Sequence, residues 1–323
     1  MTRLLRVELT RFRSRRAIAL LTLAAALVTV VLGFVAAWET RPLTAADRSD
    51  ATAQADLAAR DPQTVVEVQA CNKTPSDYLG PQATAADCES ALVPGVEAFY
   101  PRQQLDLGTT LDGRGLELAL VVVCLMVIAG STFAGADWGS GSLVNQLIFE
   151  PRRLRLWLAK GGAVALGAGL VTLVTVAGFW IWLALLARAQ GVSIPSSDAA
   201  HVAWHVVRTV ALGAGAALGA FAVTMLFRHT VATLALLFVY AVGGEVLVNL
   251  LPVEGAARWS VGNNVVGWLS SKHSYLDTTI DCSPGERCSQ QQVMTHLESG
   301  SFLLVLLVVV VALSMLWFRR RDV

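Results

Sequence analysis

The sequence predicts an all-α polytopic membrane protein: six transmembrane helices, an N-terminal amphipathic interfacial helix, two outer loop modules and both termini in the cytoplasm. Three observations lead there. Hydrophobic residues make up 54% of the 323-residue chain and charged residues only 15%, against about 25% in an ordinary soluble domain. The charge deficit is concentrated in six apolar runs, at about 17–38, 118–136, 161–187, 203–227, 230–251 and 302–318. Each is near the ~20 residues that a helix needs to cross a hydrocarbon core. Finally, the segments on one side of these runs hold 14 Lys and Arg against 4 Asp and Glu, and those on the other side 11 against 20. The positive-inside rule places the first set in the cytoplasm. Long loops count little in that rule, so the decision rests on the six arginines within residues 1–16 and on Arg319, Arg320 and Arg321. The basic residues sit beside spans, which speaks against a nucleic-acid surface.

Residues 1–16 place Leu5, Leu9 and Phe12 on one helical face with Arg6 and Arg13 turned away, the pattern of a helix lying on an anionic membrane surface. A plain basic flank to the first span fits the same residues. The run 17–38 carries no charge and is longer than the core of a signal peptide, with no small-x-small site after it, so it reads as an uncleaved span. Residues 39–116 form a polar outer loop with twice as many acidic as basic residues and few aromatics, a small, partly helical module with little core of its own. The remaining chain, 17–323, is a six-span domain in which 252–300 is the second outer loop. The run 161–187 is long enough to require tilt or overhang. Arg228 and His229 make a tight turn between the fourth and fifth spans. Glu245, after Gly243 and Gly244, marks either a solvated span end or the point where the fifth span breaks into a re-entrant hairpin. Gly215 and Gly219 form a small-xxx-small pair, suited to close packing within one subunit or between two.

Between the second and third spans lies the longest cytoplasmic polar segment, 137–160. Asp137 to Ser142 reads as a polar turn, with Ser140 or Ser142 placed to cap a short apolar helix over 143–149. Pro151 stops that helix, and Arg152, Arg153, Arg155 and Lys160 follow. Two readings fit: an ordinary loop whose arginines set topology, or a docking element for a soluble partner.

The chain has no phosphate-binding loop of the Gly-x-x-x-x-Gly-Lys-[Ser/Thr] type. Spans one, two, three and six have no ionisable group near their centres, while His205, Arg208 and Glu245 lie towards the outer face, which argues against ion-coupled transport. The Gly-Ser-Gly-Ser stretch at 139–142 lacks the spacing of a serine-hydrolase turn. His201, His205, His229, His273 and His296 do not cluster at metal-ligand spacing.

The segment 137–160 resembles the coupling loop of type-2 ATP-binding cassette (ABC) transporter permeases, in which an acidic residue, a Gly-[Ser/Thr] pair, an apolar helix, Pro-x-Arg and a Lys follow in order. Here these are Asp137, Gly141 and Ser142, Leu143 to Phe149 including Leu147, Pro151 with Arg152 and Arg153, and Lys160. In this family the acid is more often Glu. The resemblance implies a permease subunit with no ATPase activity and no cofactor of its own. Two copies of a separate ATPase, binding ATP and Mg, would dock at this loop. A second permease copy would pair with it, as a homodimer or a heterodimer. The implied location is the plasma membrane, and the implied activity is export of a hydrophobic or amphipathic compound. A channel or an intramembrane enzyme without an ATPase partner is the alternative. A translocation seam between two copies would draw on Phe34, Trp38, Met126, Phe238 and Tyr240, whose aromatic and thioether side chains suit greasy substrates.

Cys71, Cys88, Cys282 and Cys288 fall in outer segments, and Cys124 lies alone in the second span. Four cysteines allow three pairings. Cys71–Cys88 and Cys282–Cys288 are the local ones and the expected ones. A cross-pairing of the two loops, or four free thiols, are the alternatives. Cys124 is expected to stay reduced and buried.

Overall fold

The computed structural model describes residues 2–80, 82–102, 105–251, 253, 255–270, 273–277 and 290–320. Six of its helices are long and apolar enough to cross a membrane. They are α2 (Arg16–Glu39), α7 (Leu107–Gly139), α9 (Arg153–Ala189), α10 (Ser196–Phe227), α11 (Thr230–Val248) and α13 (His296–Arg320). The N-terminal α1 is Thr2–Ser14, and the short α8 between α7 and α9 is Ser142–Phe149. Several helices outrun their apolar runs, because charged side chains project into water without breaking the backbone ladder. The clearest is α9, whose 37 residues span about 55 Å at 1.5 Å per residue, well beyond a hydrocarbon core of about 30 Å.

The chain divides into two compact units, Met1–Phe34 with Asp106–Val323, and Val35–Leu105. In the first, α10 is the central element and packs on α7, α9, α11 and α13. Lipid tails are as apolar as leucine, so these helices gain by close fit rather than by escape from water. A side chain at Gly130 of α7 would collide with the carbonyl of Ala217 on α10, which fixes glycine there. Thr224 donates to the Ser131 hydroxyl at 3.0 Å beside this contact. Trp157 of α9 sets its edge against Phe221 at 5.4 Å and donates to Ser314 of α13 at 3.2 Å. The Gly215–Gly219 pair faces Leu307 of α13, with Leu307 side-chain carbons 3.3 and 3.6 Å from where their Cβ atoms would lie. Packing within the subunit therefore accounts for the small-xxx-small pair.

A π turn, Tyr240–Gly244, interrupts α11 at the two glycines. After it the Glu245 carboxylate accepts the Ser260 hydroxyl and the Gly262 N–H, the latter at 2.8 Å. It thereby holds the start of α12 (Val261–Leu269), which Ser260 caps and which packs along α13. Between α12 and α13 lie two antiparallel strands, β1 (His273–Leu276) and β2 (Gln291–Met294), with His273 opposite Met294. Short alternating segments such as His-Ser-Tyr-Leu carry strand propensity that a helical reading of this region passed over. Cys282 and Cys288 lie outside the described residues.

The second unit contains α3 (Ala45–Ala59), α4 (Pro62–Lys73), α5 (Pro75–Leu79) and α6 (Ala85–Leu92). Its buried positions include Ala51, Ala55 and Leu105, small for a core. A Cys71–Cys88 disulfide ties α4 to α6. Capping boxes formed by Thr44 with Asp47 and by Thr84 with Asp87 start α3 and α6. An ion pair links Asp47 to Arg102. Where the apolar area is this thin, a disulfide and caps contribute what a core otherwise would.

Candidate functional site

The segment 137–160 is built around a buried cluster of charge. Helix α7 ends at Gly139, so Asp137 belongs to its last turn and not to a loop. Gly141 takes φ 66°, a left-handed conformation that reverses the chain and starts α8. No side chain caps α8, contrary to the expectation for Ser140 and Ser142. Ser140 donates to the Ala136 carbonyl at 2.7 Å, and Ser142 donates to Asp137 Oδ1 at 2.9 Å. The N-cap position falls on Gly141, with Ser142 already inside the helix, so neither serine oxygen is placed to accept the first amides of α8.

Lys160 of α9 is 1% exposed, Asp137 1% and Glu8 of α1 3%. The Lys160 ammonium donates to Asp137 Oδ2 and, at 3.0 Å, to Glu8 Oε2. Arg15 donates to Asp137 and, at 2.7 Å, to the carbonyl of Phe133. Arg11 pairs with Glu8 at 3.2 Å and lies 3.7 Å from Asp137. The Phe133 ring underlies the cluster, with the Arg15 guanidinium 4.5 Å and the Lys160 ammonium 5.4 Å from its centre. Three cations face two carboxylates, which leaves the cluster one positive charge in excess. Ions buried this deeply are tolerated only with such full pairing. Mechanically, the cluster joins α1, the end of α7, the start of α8 and the start of α9.

Glu8, Arg11, Arg15 and Phe133 were not singled out by sequence reasoning. For Glu8 a signal existed: it is the only acid in a helix with several arginines, and it lies on the same face as Leu5 and Phe12. That face packs on α9, so α1 is held to the bundle by the side that the amphipathic pattern assigned to lipid.

Helix α8 does not present its whole apolar surface. Leu143 is fully buried and anchors the helix, which corrects the expectation that it faces a partner, and Leu147 is half-buried. The free apolar residues are Val144, Ile148 and Phe149, the last two 73% and 89% exposed. Gly141 and Arg152 are exposed, Arg153 is half-buried, and Pro151 follows the end of α8 at Phe149.

The five proposed pathway residues differ in exposure. Met126 is 1% exposed within the bundle, so it cannot line a seam with a second copy. Phe34 and Phe238 are exposed and Tyr240 half-buried. In the second unit, Trp38 is exposed with Arg41 stacked 4.2 Å above its ring. Cys124 is a free thiol on the exposed face of α7, where its position in the helical period puts it, and not among the buried Val and Leu. His205, by contrast, is fully buried: its Nδ1 donates to the Leu269 carbonyl at 3.0 Å and its ring meets Trp180 edge-on at 5.9 Å. Arg208 donates to His296. These residues hold α12 against α10 and α13.

Comparison with family models, with curated proteins and with solved structures returns no match for this chain.

Proposed function

We propose that this chain is the membrane subunit of an ATP-driven ABC transporter of the type-2 class, coupled to a separate ATPase through α8. The observation that carries the reading is a short helix with Ile148 and Phe149 exposed at its end, mounted on the bundle by a buried charge cluster. A helix of eight residues is too short to span a bilayer, and an apolar tip held this firmly fits a groove in a soluble partner. The mount also supplies a route for force. A push on α8 reaches Asp137 through Ser142, then α9 through Lys160 and α1 through Glu8. Both termini and α8 then lie in the cytoplasm, and the bundle lies in the plasma membrane. Two copies, identical or related, enclose a path for a hydrophobic or amphipathic compound, and ATP and Mg bind on the partner.

The test is co-purification. The chain alone is expected to hydrolyse no ATP, and an ATPase expressed with it is expected to co-elute. Replacing Ile148 and Phe149 together by Asp is expected to abolish co-elution while the protein still inserts and melts normally, since both side chains are exposed. Vigorous hydrolysis by the chain alone, or undiminished co-elution of the double variant, would overturn the assignment and favour a channel or membrane enzyme.

A further inference from the structure

A second polar feature lies beside the charge cluster. An open cleft of about 580 Å³ lies between the start of α2, the end of α7 and the start of α11. Arg15, Arg16, Thr132, Ser140 and Thr230 supply its polar lining, and no acid lines it. We propose that this cleft binds the phosphate group of an anionic ligand. Phosphate is carried by lipid headgroups and by soluble anions, and the cleft's chemistry suits either.

The charge argument comes first. Arg15 reaches into the neighbouring cluster, which already has one cation more than its carboxylates balance. Arg16 is exposed, and among the described residues it has no hydrogen-bond or ion-pair partner. Arg16 thus lines a cavity with no carboxylate in its lining, beside the surplus positive charge of the cluster that holds the Arg15 guanidinium, and a planar guanidinium matches a phosphate oxygen pair. The volume lies within the range of small-ligand sites.

The donors come next. Thr132 and Ser140 already donate to the carbonyls of Ile128 and Ala136, at 2.8 and 2.7 Å, so the protons offered to an anion come from elsewhere. The Thr230 side chain sits directly over Gly135, where any side chain would collide with its hydroxyl. Glycine at 135 keeps that wall open. Thr230 also begins α11, whose N-cap residue His229 makes no side-chain cap bond. The first turn's amides have no acceptor within the helix and add to the field set by the arginines. Part of the wall is apolar, with Ala17 and Ala136, as a glycerol or acyl stem would require.

The inference stands apart from the transporter reading and is tested without an ATPase. Full-length protein in neutral detergent is titrated with phosphatidylglycerol, phosphatidylcholine or inorganic phosphate, and retention is read by native mass spectrometry and thermal shift. Arg16→Gln is compared with Arg6→Gln, a charge-matched change on the exposed face of α1. If the ligand is a lipid, phosphatidylglycerol is retained over phosphatidylcholine, and Arg16→Gln weakens retention roughly tenfold, a loss of about 1.4 kcal/mol, while Arg6→Gln leaves it unchanged. If the ligand is a soluble anion, inorganic phosphate raises the melting temperature and displaces phosphatidylglycerol, again only with Arg16 present. Equal retention of the two lipids without phosphate protection, or equal loss in the two variants, would overturn the site and leave only diffuse attraction to a basic surface.

Discussion

Lys160 meets two carboxylates in a place almost without water, and its removal leaves both carboxylates there. Lys160→Met is therefore expected to cost about 3–5 kcal/mol of stability, read by chemical unfolding in detergent. Adding Asp137→Asn is expected to cost less than the sum of the two single changes, because the groups share one network. Unaltered unfolding of Lys160→Met would mean that the cluster ties nothing together. The order of Asp137, Ser142 and Lys160 could be read in the sequence as polar marks around an apolar helix, but the contact of Lys160 with Glu8 could not. That contact depends on which face of α1 meets protein and which meets lipid, and an amphipathic pattern looks the same in both cases. Met126 and Cys124 teach the converse lesson. A span that is apolar all round gives no sign of which side chains turn inward, and two positions apart one is buried and the other exposed.

At the scale of elements, the spans were legible because apolar runs this long have few alternatives, while their ends were not, since helices α7, α9 and α10 continue through polar residues. The irregularity in the fifth span was legible at Gly243 and Gly244, although it is a π turn in a helix that continues to Leu250 and not a break, and the partner of Glu245 was not legible. The caps of the second unit lead to an expected acid sensitivity. The backbone N–H and hydroxyl of Thr44, with Arg102 nearby, hold the Asp47 carboxyl below its usual value of 3.8, and Thr84 does the same for Asp87. A lowered carboxyl contributes stability in full above its unfolded value and loses it as pH falls through the folded one. The starts of α3 and α6 are thus expected to hold at neutral pH and to fray only below about pH 3.8. Circular dichroism during an acid titration checks this, and Asp47→Asn with Asp87→Asn, which removes the titrating carboxyls, is expected to remove the acid-dependent step.

For the molecule as a whole, the division into two units predicts separable stability. Cys71→Ser opens a loop of sequence separation 17 and is expected to cost the second unit about 3 kcal/mol in the chain-entropy picture. Hydrogen exchange should quicken across 45–92 while the core of α7, α9 and α10 stays protected, and uniform quickening would argue against two units. The long-range ties of the first unit carry a further consequence, in time. Glu8 and Lys160 are 152 residues apart. At a synthesis rate of 5–20 residues per second, the N-terminal helix waits roughly 8–30 s after emerging before its ammonium partner is made. For that interval Glu8 has only Arg11 of its own helix as a partner, and Arg15 waits for Asp137. The seat of α1 on α9 is complete only when Lys160 arrives, so the helix made first is the one locked last.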